Sequence, residues 1–287
     1  MMYSMRSIPI QQFCIGPEKP LVFLCGPCVI ESEDHALFCA EALQQLFAPY
    51  PFRWIFKASY DKANRSSIHS FRGPGLEEGL NILQKIRREF ALPFVTDVHS
   101  PMEAAVAGAI CDMIQIPAFL CRQTDLIAAA GKTPAAINVK KGQFLSPWDM
   151  KNVVEKLLSV GCEKILLTER GTSFGYNNLV TDFRAIPIMQ TFGFPVCFDA
   201  SHSAMLPGSL GTASGGQREF IPMLAKSAIA AGCNALFIEV HPDPATAKSD
   251  AATSLSFDQL KALLPSLNIL YQAILCSSQE HFASPSL

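Results

Sequence analysis

Eight short apolar runs recur along the chain, each trailed by a stretch with helical spacing. This alternation constrains the fold more than any other feature of the sequence. The runs are residues 21–25, 53–57, 94–98, 113–116, 136–140, 164–168, 196–199 and 235–240. The helical stretches are 33–47, 76–90, 101–108, 124–130, 148–160, 181–190, 216–231 and 256–275. Strands that are apolar throughout are buried on both faces, and helices linking them make the sheet parallel. Eight such units in 287 residues fit a (β/α)8 TIM barrel, an α/β fold. A doubly wound open sheet is the competing arrangement. No GxGxxG follows the first run, so its dinucleotide-binding form lacks a signature.

Local signals set several boundaries. Ser32 and Ser100 read as N-caps, and Pro101 takes the first helical position after Ser100. Ser146-Pro147 opens the stretch 148–160, where Met150, Val153, Val154, Leu157 and Leu158 share a helix face and Gly161 is the stop. Pro187 and Pro265 are expected to interrupt 181–190 and 256–275, and Pro222 falls in the first two turns of 216–231. Before the first run, residues 5–8 and 11–14 are expected to pair around Pro9 as a short hairpin within an N-terminal extension, 1–19. Residues 277–287 are expected to form a frayed tail. No composition break divides the chain, so 1–287 is expected to form one barrel domain.

Hydrophobic residues make up 49% of the chain and the formal net charge is −2. That balance argues against general affinity for nucleic acid, which needs a basic field. No stretch approaches the ~20 uninterrupted apolar residues of a membrane span, and Pro9, Gln11 and Gln12 interrupt what would have to be a signal-peptide core. The ten cysteines lie mostly inside apolar segments, as Cys39, Cys111, Cys162, Cys197 and Cys233 do. They read as small buried hydrophobes of a reducing compartment. A cytoplasmic protein with no nucleic-acid or membrane partner is expected, its affinity for anions local.

A barrel of this kind carries its active site at the C-terminal ends of the strands. There the runs end in Cys25-Gly26-Pro27-Cys28, Lys57, Asp97 with His99, Gln115, Asn138 with Lys140 and Lys141, Thr168-Glu169-Arg170, Asp199-Ala200-Ser201-His202, and Glu239 with His241. Two sets separate by chemistry. Lys57, Lys62, Lys140 and Arg170 suit a small, multiply charged anion such as a phosphorylated carboxylate, and Arg65, Ser66 and Arg122 suit a second phosphate. Three of these cations, Lys57, Lys62 and Arg65, fall in 57–67, KASYDKANRSS, a polar loop that also holds Asn64. Cys28, His202, Glu239 and one of Asp243 or Asp250 make a donor set for a borderline divalent ion, whether zinc, iron or manganese. The CxxC at 25–28 also matches a dithiol redox motif. A thiol oxidoreductase needs both cysteines, whereas a metal site needs only Cys28.

With these motifs assembled, the chain resembles the 3-deoxy-D-manno-octulosonate 8-phosphate synthases over nearly its whole length. GPCVIES at 26–32, KASYDKANRSS at 57–67, FRGPG at 71–75, TDVH at 96–99, QIPAFLCRQTDL at 115–126, NVKKGQF at 138–144, LTERGTSFGYNNLVTDFR at 167–184, DASHS at 199–203 and GGQREF at 215–220 carry the resemblance. The related 3-deoxy-D-arabino-heptulosonate 7-phosphate synthases, the alternative assignment, typically have KPRTS in place of KANRSS. The resemblance implies a barrel, usually a homotetramer, that condenses phosphoenolpyruvate with D-arabinose 5-phosphate and water in lipopolysaccharide (KDO) biosynthesis. It implies that Lys62, Lys140 and Arg170 hold phosphoenolpyruvate, with Lys57 and Gln115 nearby. Asn64, Arg65 and Ser66 would hold the sugar phosphate, with Arg122 reaching in from a neighbouring subunit. Lys57, Lys62, Asp97 and His202 would serve catalysis. Cysteine at position 28 implies the metal-dependent class, with His202, Glu239 and Asp250 as the other ligands. The family usually has alanine where this chain has Cys25, which implies a packing role for that thiol.

Overall fold

The computed structural model describes residues 5–209, 211 and 214–277. Eight parallel strands close into a barrel: β1 (Val22–Gly26), β2 (Arg53–Lys57), β3 (Phe94–Asp97), β4 (Met113–Ile116), β5 (Ala136–Lys140), β6 (Ile165–Glu169), β7 (Val196–Asp199) and β8 (Ala235–Glu239). Each strand pairs with the next in the chain and β8 pairs back with β1, so the barrel sheet has no edge. The strands are followed in turn by α1 (Glu33–Phe47), α2 (Leu76–Phe90), α3 (Pro101–Gly108), α4 (Thr124–Gly131), α5 (Met150–Leu158), α6 (Ala185–Gln190), α7 (Ile221–Ala230) and α8 (Phe257–Ser277). Ser32 and Ser100 cap α1 and α3 as their hydroxyl oxygens accept from the backbone N–H of His35 and Glu103.

Every strand alternates between two apolar layers. Val22, Leu24, Ile55, Val95, Met113, Ala136, Leu166, Cys197, Ala235 and Phe237 fill the barrel interior. Their chain neighbours Phe23, Cys25, Trp54, Phe56, Phe94, Ile114, Ile137, Leu167, Phe198 and Leu236 belong to the larger cluster under the helices. Extending the period of two along each strand puts Lys57, Asp97, Gln115, Asn138, Lys140, Thr168, Asp199 and Glu239 on the inward face, and all eight are buried. The polar site is therefore the upper layer of the barrel interior.

The hairpin expected near Pro9 exists with a different register. Ile8–Ile10 pairs antiparallel with Phe13–Ile15, and the turn is Gln11–Gln12, with Gln11 at φ +46°. Pro9 lies inside the first strand with its ring exposed, opposite Cys14. A proline fits an edge strand where no ladder N–H is needed. Ile8, Ile10 and Ile15 join the interior cluster with the first residues of β1, β4, β5 and β8, closing the end of the barrel remote from the site.

Several helix boundaries also move. The stretch after Ser146 begins as a 3-10 turn, Pro147–Asp149, before α5. Residues 181–184 precede α6 rather than forming its start, and Pro187 sits in its first turn, where a missing N–H costs little. Gly215–Gly216 pairs with Met205–Leu206, a 3-10 turn spans Arg218–Phe220, and only then does α7 start, with Pro222 in its first turn. α8 runs through Pro265 uninterrupted. The one lost hydrogen bond there is set against the burial of Leu260, Leu263, Leu264 and Leu267. α8 is described as far as Ser277, and the remainder of the expected tail lies outside the described residues. Among the described residues no helix is long and apolar enough to cross a membrane.

Candidate active site

A belt of hydrogen bonds crosses the upper barrel. Asp97 accepts from the Ser59 hydroxyl (2.9 Å) and from Gln115 Nε2 (2.5 Å). Gln115 Oε1 accepts from Asn138 Nδ2 (3.0 Å), whose Oδ1 accepts from the Thr168 hydroxyl (2.6 Å). Side chains of β3, β4, β5 and β6 and of the loop after β2 are thereby locked in one layer. Lys62 Nζ stands 3.8 Å from Asp97. Burial opposes charge on Asp97, yet Lys62, Lys57 and Lys140 outweigh it and hold the carboxyl far below the usual range. Lys62, also buried, is driven the other way: Cys28 and Asp97 outweigh burial and raise its proton affinity.

Three more cations line the same space. Lys57 Nζ donates to Glu239 Oε1 (2.7 Å) and to the Cys28 carbonyl (2.9 Å). Lys140 Nζ donates to Asp199 Oδ2 (2.6 Å) and lies 3.7 Å from the centre of the Phe237 ring. Arg170 is 4% exposed, and its Nη1 is buried without a hydrogen-bond partner. Burial lowers its proton affinity, and Asp199 and Asp250 offset part of that. A buried guanidinium donor left unpaired is costly, and an anion in the cavity would satisfy it.

Beside the cations stands the donor set. Cys28 Sγ donates to Asp250 Oδ2 (3.1 Å), and His202 Nε2 lies 3.4 Å from Asp250 Oδ2 and 3.8 Å from Glu239 Oε1. Single ligand atoms of Cys28, Glu239 and Asp250 fall within 4.8 Å of one another. The other ring nitrogen of His202, Nδ1, is 2.8 Å from Asp199 Oδ2. That contact fixes the ring as the outer partners of metal-bound imidazoles do. Burial resists charge on His202, but Asp199 prevails and its proton affinity rises. Glu239 Oε2 is buried with no partner. A sulfur, an imidazole and two carboxylates, with one oxygen unsatisfied, fit a borderline divalent ion. Without that ion, burial pushes the Cys28 thiol well above its ordinary range, and Asp250 and Glu239 push the same way. Of the two acids left open by spacing, Asp250 joins this group, whereas Asp243 is exposed and caps its own turn through the Ala245 N–H.

These groups border a cavity of about 690 Å³. Lys57, Lys62, Asn64, Arg65, Ser66, Asp97, Gln115, Lys140, Arg170, His202 and Asp250 all line it. Arg65 reaches across to the loop after β8, donating from Nη1 to Ser249 Oγ (2.7 Å) and from Nη2 to the Lys248 carbonyl (3.4 Å). Arg218 donates to the carbonyl of Ala251 in the same loop. Arg122 is exposed and does not line the cavity of its own chain. Lys141 points away too: it is buried beside Glu169 (3.6 Å) and donates to the carbonyls of Gly142 and Leu145.

Sequence reasoning gave no role to Asp199, Asn138, Thr168 or Phe237. Their inward phase was readable from the period of two along each strand. Ser249 and Lys248 carried no such signal, because a loop has no period. Cys25 lies in the outer layer under the helices, and all ten cysteines are free.

The model of the DAHP synthetase I family matches residues 5–275. A 2-dehydro-3-deoxyphosphooctonate aldolase of Protochlamydia amoebophila is 62% identical over 270 residues, covering 94% of this chain and 98% of that protein. Proteins of the same name from Geobacter sulfurreducens and Desulfatibacillum aliphaticivorans are each 53% identical, covering 92% and 90% of this chain and 97% and 95% of their own lengths.

Proposed function

The chain belongs to the DAHP synthetase I family, among the 2-dehydro-3-deoxyphosphooctonate aldolases, and on that premise we propose that it condenses phosphoenolpyruvate with D-arabinose 5-phosphate and water. The products are 3-deoxy-D-manno-octulosonate 8-phosphate and inorganic phosphate, a step of lipopolysaccharide (KDO) biosynthesis in the cytoplasm. The observation that carries this reading is the set of four cations, Lys57, Lys62, Lys140 and Arg170, facing one cavity beside Cys28, His202, Glu239 and Asp250.

Two polyanions repel each other, so fixed cations lower both that repulsion and the entropy lost on encounter. Lys62, Lys140 and Arg170 hold the carboxylate and phosphate of phosphoenolpyruvate, with the buried Arg170 Nη1 finding its acceptor there. Gln115 and Lys57 flank it. Asn64, Arg65 and Ser66 hold the sugar phosphate at the outer rim. In a homotetramer, Arg122 of a neighbouring subunit adds to that rim.

Carbon 3 of phosphoenolpyruvate bonds to the aldehyde carbon, and the aldehyde oxygen takes a proton. Water bonds to carbon 2, and the bond from carbon 2 to the phosphate oxygen breaks. Of the two protons of water, one ends on the new hydroxyl and the other leaves with phosphate. Asp97 stays charged throughout, fixing Lys62 and Gln115, and so orients rather than exchanges protons. Cys28, His202, Glu239 and Asp250 hold a divalent ion, whether zinc, iron or manganese, which supplies Lewis acidity toward the aldehyde or the water.

The test is phosphate release from phosphoenolpyruvate with a panel of acceptors. D-arabinose 5-phosphate should be turned over far faster than D-erythrose 4-phosphate. The reverse preference would make the chain a heptulosonate 7-phosphate synthase. Thiol-dependent reduction of insulin with no phosphate release would return the CxxC to redox chemistry.

A further inference from the structure

Outside the catalytic cavity a second group of metal-ligating side chains converges. Glu31 precedes α1, His35 lies in its first turn, and His241 follows β8; one ligand atom from each falls within 4.8 Å of the others. None of the three lines the cavity. His241 is 5% exposed, and its Nε2 is buried without a hydrogen bond although Glu31 Oε1 is 3.2 Å away. Its Nδ1 is held in its own turn, 2.7 Å from the Asp243 carbonyl oxygen, to which it donates in the tautomer that leaves Nε2 a free lone pair. His35 repeats the pattern. Its Nε2 is 3.6 Å from Cys39 Sγ, while its Nδ1 is buried and unpartnered. The two rings lie 4.8 Å apart, tilted by 36°. Each imidazole is thus oriented through one nitrogen and leaves the other free, which is how ligating histidines are held.

We propose that Glu31, His35 and His241 form a second site for a borderline divalent ion of the zinc class, separate from the Cys28 centre. Two imidazoles and a carboxylate are a set that binds zinc with a fourth position open. Such an ion satisfies both free ring nitrogens and the carboxylate together, which no single proton does. The site also touches the loop that carries Asp250. Glu31 Oε1 accepts from the Lys248 N–H (2.9 Å), and Lys248 is followed by Ser249, the partner of Arg65. Occupation therefore fixes one end of that loop from outside the cavity.

Equilibrium dialysis of the full chain against zinc chloride tests this, with bound metal counted per chain. The wild type should hold one equivalent more than Glu31→Gln and than His35→Ala, and Cys28→Ala should lack a different equivalent, so that Cys28→Ala/His35→Ala lacks both. Glu31→Gln keeps an oxygen for the Lys248 N–H, and His35 is partly exposed at a helix start, so these variants should melt close to the wild type. If both bind as much zinc as the wild type, Glu31 and His241 form only an ion pair and the proposal is wrong. A wild type holding a single equivalent that Cys28→Ala removes is equally fatal. Phosphate release from phosphoenolpyruvate, measured in parallel, reports on the catalytic reading alone, so the two failures are distinguishable.

Discussion

Cys25 and Cys28 stand three residues apart on opposite sides of the β1 wall. Cys25 is wholly buried under the helices, whereas Cys28 meets Asp250 at the barrel mouth. Cys25→Ala should leave metal content and turnover within about twofold and lower stability by roughly 1 kcal/mol for the lost sulfur; Cys28→Ala should abolish tight metal binding. Metal analysis beside a melting curve separates the two, and equal losses would restore the dithiol reading. Asp250→Ala should lower metal content and cut kcat by at least about 100-fold, more than the loss of an outer partner costs. Unchanged turnover would remove Asp250 from the site. Arg170 makes a different prediction. Losing one charged hydrogen-bonding group costs roughly 1.5–3 kcal/mol, so Arg170→Ala should raise the KM for phosphoenolpyruvate about 10- to 100-fold. The KM for the sugar phosphate should change far less, and steady-state kinetics with each substrate varied reads both.

At the scale of elements, the site depends on the Gly26 backbone at the end of β1 fitting against Lys57 of β2 with no room for a side chain. A Cβ on Gly26 would meet the Lys57 carbonyl oxygen at 2.1 Å. Gly26→Ala should therefore destabilise the barrel by roughly 1–3 kcal/mol and displace Lys57 from Glu239, so that urea denaturation and kcat fall together. A stable variant with a normal kcat would mean that the close fit at Gly26 is not what sets Lys57. The strands and most helices were legible because a fully apolar run and a serine N-cap are local signals, as at Ser32 and Ser100. The hairpin register was not, because the packing of Ile8, Ile10 and Ile15 inside the barrel decides it. Nor was the start of α7, which follows a ladder between Met205–Leu206 and Gly215–Gly216. The cations of the site were readable from strand ends. The link from Arg65 to Ser249 spans 184 positions and has no linear trace.

For the whole molecule, buried charge and buried thiols set the pH range of stability. Asp97 and Asp199 are held far below the usual carboxylate range: burial opposes this, but lysines outweigh it at Asp97, and His202 and Lys140 do so at Asp199. A depressed folded pKa gives stability that is present above the unfolded value of about 3.9 and lost as pH falls below it. Burial raises the thiols of Cys25, Cys197 and Cys233. A raised folded pKa gives stability that is full below the unfolded value of about 8.5 and lost as pH climbs beyond it. Melting temperature should therefore decline below roughly pH 4 and above roughly pH 8.5, with a smaller decline beginning above about pH 6.5 as His202, whose proton affinity folding raises, gives up its proton. A steep fall between pH 7 and 5 would contradict this balance.

The same molecule has a net charge of −2, so affinity for two anions has to be local to one cavity and, on the reading proposed above, to an ion held beside it. Phosphate release from phosphoenolpyruvate with D-arabinose 5-phosphate, before and after dialysis against a chelator, tests that claim most directly. Activity should disappear with the metal and return when zinc, iron(II) or manganese is added back. Full activity in the metal-free protein would contradict the role given to Cys28, His202, Glu239 and Asp250.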